Sequence, residues 1–347
     1  MSREPFRLGI VGCGWIAGRH AQAAASLEDV AFVACADVRR GAAEAWAAEN
    51  RCERAYGDHR TMLREHELDA VVLATWPNLH REQILACLEG GVRHVLCEKS
   101  LALTGPEALE IRRAADEAGA HVTEAYMYRH HPASARLDEL VSTIGALDSV
   151  SAVFDIFDPE DAAPDDAARD WRQDADKAGG VPWDLACYCV DACNRFARAR
   201  PLRALAVVDR SEKYGTVDRL HGLIEYDNGV VGHVESSKRA DASYELTLAG
   251  AGGRLSLPVA WIRDGSAQVM LTRSRGWGEF ETTRYPIETA DSFALQLEAF
   301  VAAARGEREP SPSLAESVVT AFTLDALLAS GAERESVEVR LPSEVAA

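Results

Sequence analysis

The chain has 347 residues, 47% apolar and 27% charged, which suits two globular domains with sizeable cores. Its net charge of −18 argues against nucleic acid or an anionic membrane as a partner, since either would repel it. No apolar leader precedes the first strand pattern and no later stretch approaches the roughly 20 residues of a membrane span, so a cytoplasmic location is expected.

The first strand pattern, at 7–11, breaks on Gly12-Cys13-Gly14 and re-forms with helical composition from Trp15. In this strand, turn and helix, Gly12 can take the positive φ of the turn, Gly14 admits a pyrophosphate against bare backbone, and Ala17 keeps the helix close to the strand. The free N–H groups of the helix start then face the phosphates. A second apolar run at 30–36 ends on Asp37, twenty residues past Ala17, where a carboxylate can accept from an adenosine ribose. Together these features predict dinucleotide binding. Asp37 disfavours a 2′-phosphate and favours NAD, whereas Arg39 and Arg40 leave NADP possible.

Strand patterns at 7–11, 31–36, 70–74, 93–97 and 120–123 alternate with helical patterns at 15–26, 40–50, 60–66, 78–90 and 106–118. That alternation predicts a doubly wound parallel sheet, with ligands beyond the strand C-termini. Three such edges carry unusual residues. At 75–80, Thr75 or Asn78 is placed to cap the next helix and Pro77 to fix its entry. Glu98-Lys99 forms a charged pair at the fourth strand's end, either a structural salt bridge or part of a site, and 124–132 mixes polar and aromatic residues as a site rim or an amphipathic helix entry would.

The pattern then changes. Alternating runs at 148–157, 202–210, 219–226, 229–236, 243–249, 267–273 and 279–285 predict a largely antiparallel sheet in an α+β domain, with a hairpin turn at Asp227-Asn228-Gly229. The acidic stretch 158–170 reads as a surface loop, helices are expected at 291–304 and 313–329, and a short strand at 336–341. Between the strands, Gly179-Gly180 and Pro182 lead into a helix on which Asp184, Tyr188, Asp191 and Arg195 share one stripe at spacings of four, three and four. Such a stripe is either a solvated face or a site. The eight cysteines are expected as reduced thiols, and Cys187, Cys189 and Cys193 do not share a helix face suited to a metal, so none is predicted.

Oxidation of a hydroxyl needs a group to take its proton. Tyr188 serves if its pKa of about 10 is lowered by about 2–3 units, roughly 3–4 kcal/mol, which an ammonium such as Lys99 could supply while Asp184 holds a neighbouring hydroxyl. Lys99 as the substrate-orienting donor is the alternative.

The Gly12/Gly14/Ala17 fingerprint, Thr75 with His80, Glu98-Lys99, the segment from Met127 to Pro132, Gly179-Gly180 followed by Asp184, Tyr188 and Asp191, and Leu248-Ala249-Gly250 occur in this order. The chain thereby resembles, over nearly its whole length, the glucose-fructose oxidoreductase, inositol dehydrogenase and rhizopine catabolism protein (Gfo/Idh/MocA) family. The resemblance implies an N-terminal Rossmann domain, here 1–124, and a C-terminal open-faced, largely antiparallel α+β domain, 125–347, that often makes dimers; a homodimer or homotetramer is expected. It places the family's catalytic lysine, aspartate and histidine-or-tyrosine on Lys99, Asp184 and Tyr188, and tyrosine there looks like the glucose-fructose oxidoreductase, aldose dehydrogenase and dihydrodiol dehydrogenase branch. Two departures are Ser100, where proline usually follows Glu-Lys, and Trp76-Pro77, where proline and asparagine are usual.

The expected cofactor set is Gly12, Gly14, Trp15, Ile16, Ala17, Asp37, Arg39, Thr75, Trp76, His80, Glu98 and Lys99. The expected substrate set is Lys99, Tyr126, Arg129, Trp171, Arg172, Asp184 and Tyr188. The implied activity is hydride transfer between NAD(P) and a hydroxyl or keto carbon of a sugar, sugar derivative or cyclitol. A dinucleotide-binding regulator and a redox-assisted glycosidase or lyase are the competing readings.

Overall fold

The computed structural model describes residues 5–157, 171–241, 243–261 and 264–345. The acidic stretch expected as a surface loop, 158–170, lies outside the described residues. The chain divides into two compact units, one of residues 1–102, 106–130 and 291–315 and one of 103–105, 131–290 and 316–347.

In the first unit, β1 (Phe6–Val11), α1 (Trp15–Ala25), β2 (Val30–Ala36), α2 (Arg40–Asn50), β3 (Arg54–Tyr56), α3 (His59–Glu65), β4 (Ala70–Leu73), α4 (Pro77–Glu89), β5 (His94–Glu98), α5 (Gly105–Ala118) and β6 (His121–Ala125) alternate as expected. The strands form a six-stranded sheet in the order β3-β2-β1-β4-β5-β6 with parallel pairing throughout. The order reverses at β1, whose neighbours are β2 and β4, so the crevice above β1 is the topological switch point where such sheets bind ligands. β2 and β4 are apolar without alternation, as is β1 after Arg7, because helices cover both faces. The short, polar β3 carried no apolar signal and went unread.

The second unit comprises α6 (Pro132–Leu140), β7 (Leu147–Asp155), α7 (Cys187–Ala197), β8 (Pro201–Arg210), β9 (Val217–Tyr226), β10 (Val231–Ser237), β11 (Leu246–Gly250), β12 (Gly253–Leu257), β13 (Asp264–Gly276) and β14 (Glu279–Asp291). After these, α8 (Ser292–Ala304) belongs to the first unit, and α9 (Leu314–Glu333) and β15 (Val337–Glu338) complete the chain. The nine-stranded sheet runs β14-β13-β12-β11-β7-β10-β9-β8-β15. It is mixed and mostly antiparallel, because β7 and β10 pair in parallel at its centre. The β9–β10 turn takes the expected hairpin, with Gly229 at φ 84°. β12 and the full length of β13 and β14 exceed the expected strands, since their outer residues are polar on both faces.

Helix α7 covers one face of this sheet at β7 and β10, where a Cβ on Gly232 would lie 3.2 Å from Cβ of Cys193. On β8, Ala204 and Ala206 point inward while Leu205 and Val207 are exposed, the period of a sheet with one open face.

In the first unit, α8 packs on α1, with Phe293 edge-on to His20 at 5.6 Å and Arg305 paired to Asp29 at 2.7 Å. Asp291 caps α8 by accepting from the N–H groups of Phe293 and Ala294 at 2.9 and 3.1 Å. One sequence expectation is corrected here: α9, at 20 residues and a mean hydropathy of 1.3, is long and apolar enough to cross a membrane. It nonetheless buries Val318, Leu324 and Leu327, as a packed core helix does.

Ile10 lies fully buried in the central strand β1. Ile10→Ala is expected to destabilise the first unit by about 2–5 kcal/mol, read as a lower urea midpoint by tryptophan fluorescence.

Candidate active site

At the end of β1 the chain turns on Gly12, at φ 89°, and a Cβ there would sit 2.5 Å from the carbonyl oxygen of Ala74. Only glycine satisfies both the positive φ and this approach. Gly14 is the N-cap of α1 and has no side-chain cap, and a Cβ on it would meet nothing within 4 Å, so the helix start opens on clear space. Ala17 is fully buried beneath it, Ile16 is half-buried and Trp15 is exposed. A cavity of about 270 Å³ follows, lined among others by Gly12, Gly14, Asp37, Arg39, Thr75 and Trp76. Bare backbone, free helix N–H groups and a carboxylate at the next strand's exit fit a dinucleotide.

Asp37 is fixed by two backbone donors: the Cys13 N–H to Oδ2 at 3.0 Å and the Arg39 N–H to Oδ1 at 2.8 Å. The glycine turn and the ribose-recognition position are therefore tied together. At the β4 edge, Pro77 begins α4 as expected, but the N-cap is Trp76, without a side-chain cap. The capping expected of Thr75 or Asn78 is corrected: the Thr75 hydroxyl donates instead to Oε1 of Gln83, one face of α4 away, at 2.6 Å.

His80 is wholly buried. Its Nδ1 donates to the Ser100 carbonyl at 2.7 Å and its Nε2 lies 3.2 Å from the Thr75 carbonyl. Burial lowers its pKa, against the two carbonyls, which favour the charged ring. His80 thus reaches the site through the chain beside Lys99. The Lys99–Ser100 peptide is cis. Glu98 is buried against His20, whose Nε2 donates to Oε1 at 2.7 Å, so its side-chain partner is His20 on α1. Half-buried Lys99 stands at the exit of β5. Beyond β6, Tyr126 is fully buried edge-on to Tyr128 at 6.2 Å and Arg129 is half-buried.

In the second unit the glycine pair is explained by crowding. A Cβ on Gly179 would lie 2.6 Å from the Trp171 carbonyl oxygen, and one on Gly180, at φ 110°, 2.7 Å from that of Val217. The next turn, Pro182–Ala186, is π-helical before α7 begins. A π turn shifts the phase of a helix and often marks a functional position. The polar stripe is not a solvated face: Asp184, Tyr188 and Asp191 are all buried, and only Arg195, which donates to Asp138 at 2.6 Å, is partly open. Arg172 Nε donates to Asp184 Oδ2 at 2.8 Å, and the guanidinium lies 4.9 Å over the Trp171 ring. The Tyr188 ring packs edge-on to Phe154 at 5.5 Å and against Trp261 at 5.8 Å.

Within the second unit the structure brings Trp171, Arg172 and Asp184 together, and within the first it groups the glycine turn with Asp37, Arg39, Thr75 and Trp76. Sequence reading missed His20 and Gln83, which hold Glu98 and Thr75; nothing local marks either, since their partners lie 78 and 8 residues away. Cys187, Cys189 and Cys193 are buried free thiols, and burial pushes Cys193 up to about 12 and Cys189 well above its ordinary value. Among the described residues no group of three His, Cys, Asp or Glu is arranged for a metal.

The first unit is thus a dinucleotide-binding α/β domain in an oxidoreductase arrangement. Residues 6–126 match the oxidoreductase family with an NAD-binding Rossmann fold, and 135–256 match the GFO/IDH/MocA C-terminal domain. The chain belongs to this Gfo/Idh/MocA oxidoreductase family. It is 33% identical to D-xylose 1-dehydrogenase (NADP(+)) 2 of Haloferax volcanii over 91% of this chain and 93% of that protein. It is 29% identical to trans-1,2-dihydrobenzene-1,2-diol dehydrogenase of Mus musculus over 74% and 75% of the two chains. The fold is shared with a 3-ketoreductase from Actinomadura kijaniata in complex with NADP and TDP-benzene, at a TM-score of 0.84 and 24% identity over 94% of this chain and 98% of that one. Levoglucosan dehydrogenase in complex with NADH and levoglucosan gives 0.84 at 22% identity over 97% and 100%.

Two outcomes follow from this geometry. Gly12→Ala is expected to abolish NADH binding, followed by nicotinamide fluorescence, because its Cβ meets the Ala74 carbonyl at a φ that alanine avoids. Because folding lowers the pKa of His80, the unfolded chain binds its proton first as pH falls below the ordinary value of 6.5. Stability is therefore retained above pH 6.5 and falls below it by up to about 1.4 kcal/mol per pH unit. Denaturant titrations at pH 7.5 and 5.5 should show a smaller pH difference in His80→Gln than in the parent chain.

Proposed function

We propose that the protein transfers a hydride between a nicotinamide dinucleotide, with NAD preferred, and a hydroxyl or keto carbon of a sugar or sugar derivative. The observation that carries this reading is the burial of a phenol and a carboxylate, Tyr188 and Asp184, on a π turn and the helix it opens. Burying such groups is costly unless they are used or paired. The named activities of the D-xylose 1-dehydrogenase and dihydrodiol dehydrogenase relatives support it.

The nicotinamide supplies or accepts the hydride when bound. The chain handles the proton and the orientation. Tyr188 takes the hydroxyl proton during oxidation and returns it during reduction. Lys99 lowers the cost of the phenolate through its positive charge. Asp184, held by Arg172, accepts from a neighbouring substrate hydroxyl, while Trp171 offers an apolar face beside it. Tyr126 and Arg129 are further residues assigned to substrate binding in this reading, and His80 and Glu98 position the segment that carries Lys99. The NAD preference rests on Asp37, whose carboxylate is fixed by two N–H groups where a 2′-phosphate would otherwise sit. Arg39, exposed beside it, is the position from which NADP use would arise.

The open face of the second sheet exposes Leu205, Val207 and Leu223 on adjacent strands, and self-association into dimers through this face is part of the proposal.

Tyr188→Phe is expected to lower kcat for sugar oxidation roughly 100- to 10,000-fold while leaving NADH affinity within about twofold. Steady-state kinetics with a fluorescence titration decides it; an equal loss of cofactor affinity would show that Tyr188 only supports the fold.

A further inference from the structure

At the end of the second sheet where β7, β8 and β10 finish and β9 begins, a cavity of about 600 Å³ opens beside the Arg172–Asp184 pair. Its size is that of an ordinary small-molecule site. The 171–173 turn joins the two. Gln173 lines the cavity from the same short turn that carries Arg172, the partner of Asp184, and Lys238, also on the lining, donates from Nζ to the Arg172 carbonyl at 3.3 Å.

Charge decides what kind of ligand fits. Three cations, Arg210, Lys238 and Arg239, face three carboxylates, Asp209, Glu212 and Asp218, and Arg239 is bound through Nε and Nη2 to Asp218 at 2.9 and 3.0 Å. A wall whose three cations are matched by three carboxylates offers no net attraction to a phosphate or a nucleotide diphosphate. It does set fixed donors beside fixed acceptors, the pattern that the vicinal hydroxyls of a sugar need, since each hydroxyl both donates and accepts. The rings of Phe157 and Tyr214 add apolar surface for the C–H face of a pyranose. Gln173 itself, on this wall, is only 7% exposed, and among the described residues its Oε1 has no hydrogen-bond partner, an unmet acceptor at the edge of the cavity.

We propose that this cavity is a second sugar subsite, so that the substrate is a glycoside: one ring is oxidised or reduced at Asp184 and Tyr188 while the glycosyl unit attached to it occupies the cavity. The inference rests on the sugar-oxidoreductase reading above.

The test compares D-xylose and D-glucose with xylobiose, cellobiose and maltose, for turnover by NADH absorbance and for binding by calorimetry. At least one disaccharide should show a KM tenfold or more below that of its monosaccharide. Glu212→Ala and Phe157→Ala, both on exposed positions, should raise that KM about tenfold and leave monosaccharide kcat/KM within twofold. Gln173→Leu, checked for an unchanged thermal midpoint, should do the same. Turnover of monosaccharides with no gain from any disaccharide, or equal effects of the variants on both, would overturn the subsite and leave the oxidoreductase reading standing. Disaccharide binding that the variants weaken, without turnover of any sugar, would support the subsite and remove the oxidoreductase reading. Neither binding nor turnover would overturn both.

Discussion

Backbone crowding at glycine is the constraint on which both halves of the chemistry depend. The Ala74 carbonyl approaches Gly12 so closely that no side chain can stand there, and this approach sets the end of β1 against the end of β4. The start of α1 is thereby aimed at the crevice. Asp37 then locks the turn from the other side by accepting from Cys13, so a nucleotide meets a surface already shaped for it. Preorganisation of this kind spares the ordering cost that a flexible loop would incur on binding.

The second unit repeats the device with different parts. Gly179 and Gly180 let the 171–174 turn and the Val217 backbone close on the chain just before the π turn. That closure puts Arg172 within hydrogen-bonding distance of Asp184, and it sets Gln173 at the cavity next door. The phenol of Tyr188 is held by rings on two sides, Phe154 and Trp261, and Trp261 is itself fixed by donating from Nε1 to the Val153 carbonyl at 2.8 Å. A rigid wall of this sort serves catalysis because a reacting hydroxyl must be held to within a fraction of an ångström.

The parallel sheet was legible because its strands, the short β3 apart, centre on apolar runs and its helices are periodic, signals that local sequence carries. The glycine turns and Asp37 were legible for the same reason: a positive φ and a carboxylate at a fixed distance are local requirements. The polar stripe was half legible. Spacing placed Asp184 and Tyr188 on one side of a helix, but whether that side meets water or protein depends on which element packs there, and the answer is β7 and β10. The π turn left no mark that spacing could detect. The partners that hold the site, His20 for Glu98, Gln83 for Thr75 and Arg172 for Asp184, are brought in by tertiary packing and have no local signature. The length of α9 passed below notice for the opposite reason, since its small and hydroxyl residues dilute the apolar run.

Hydride transfer to a nicotinamide is the central claim, and isotope transfer tests it most directly. The protein would be incubated with NAD and a panel of aldoses and glycosides deuterated at each carbon-bound hydrogen, and the recovered cofactor weighed by mass spectrometry. The account predicts reduced cofactor carrying one deuterium from a single labelled position, with the matching ketone or lactone formed in equal amount. Sugar consumed with the cofactor recovered unlabelled and oxidised, or cofactor bound with every sugar returned intact, would contradict it.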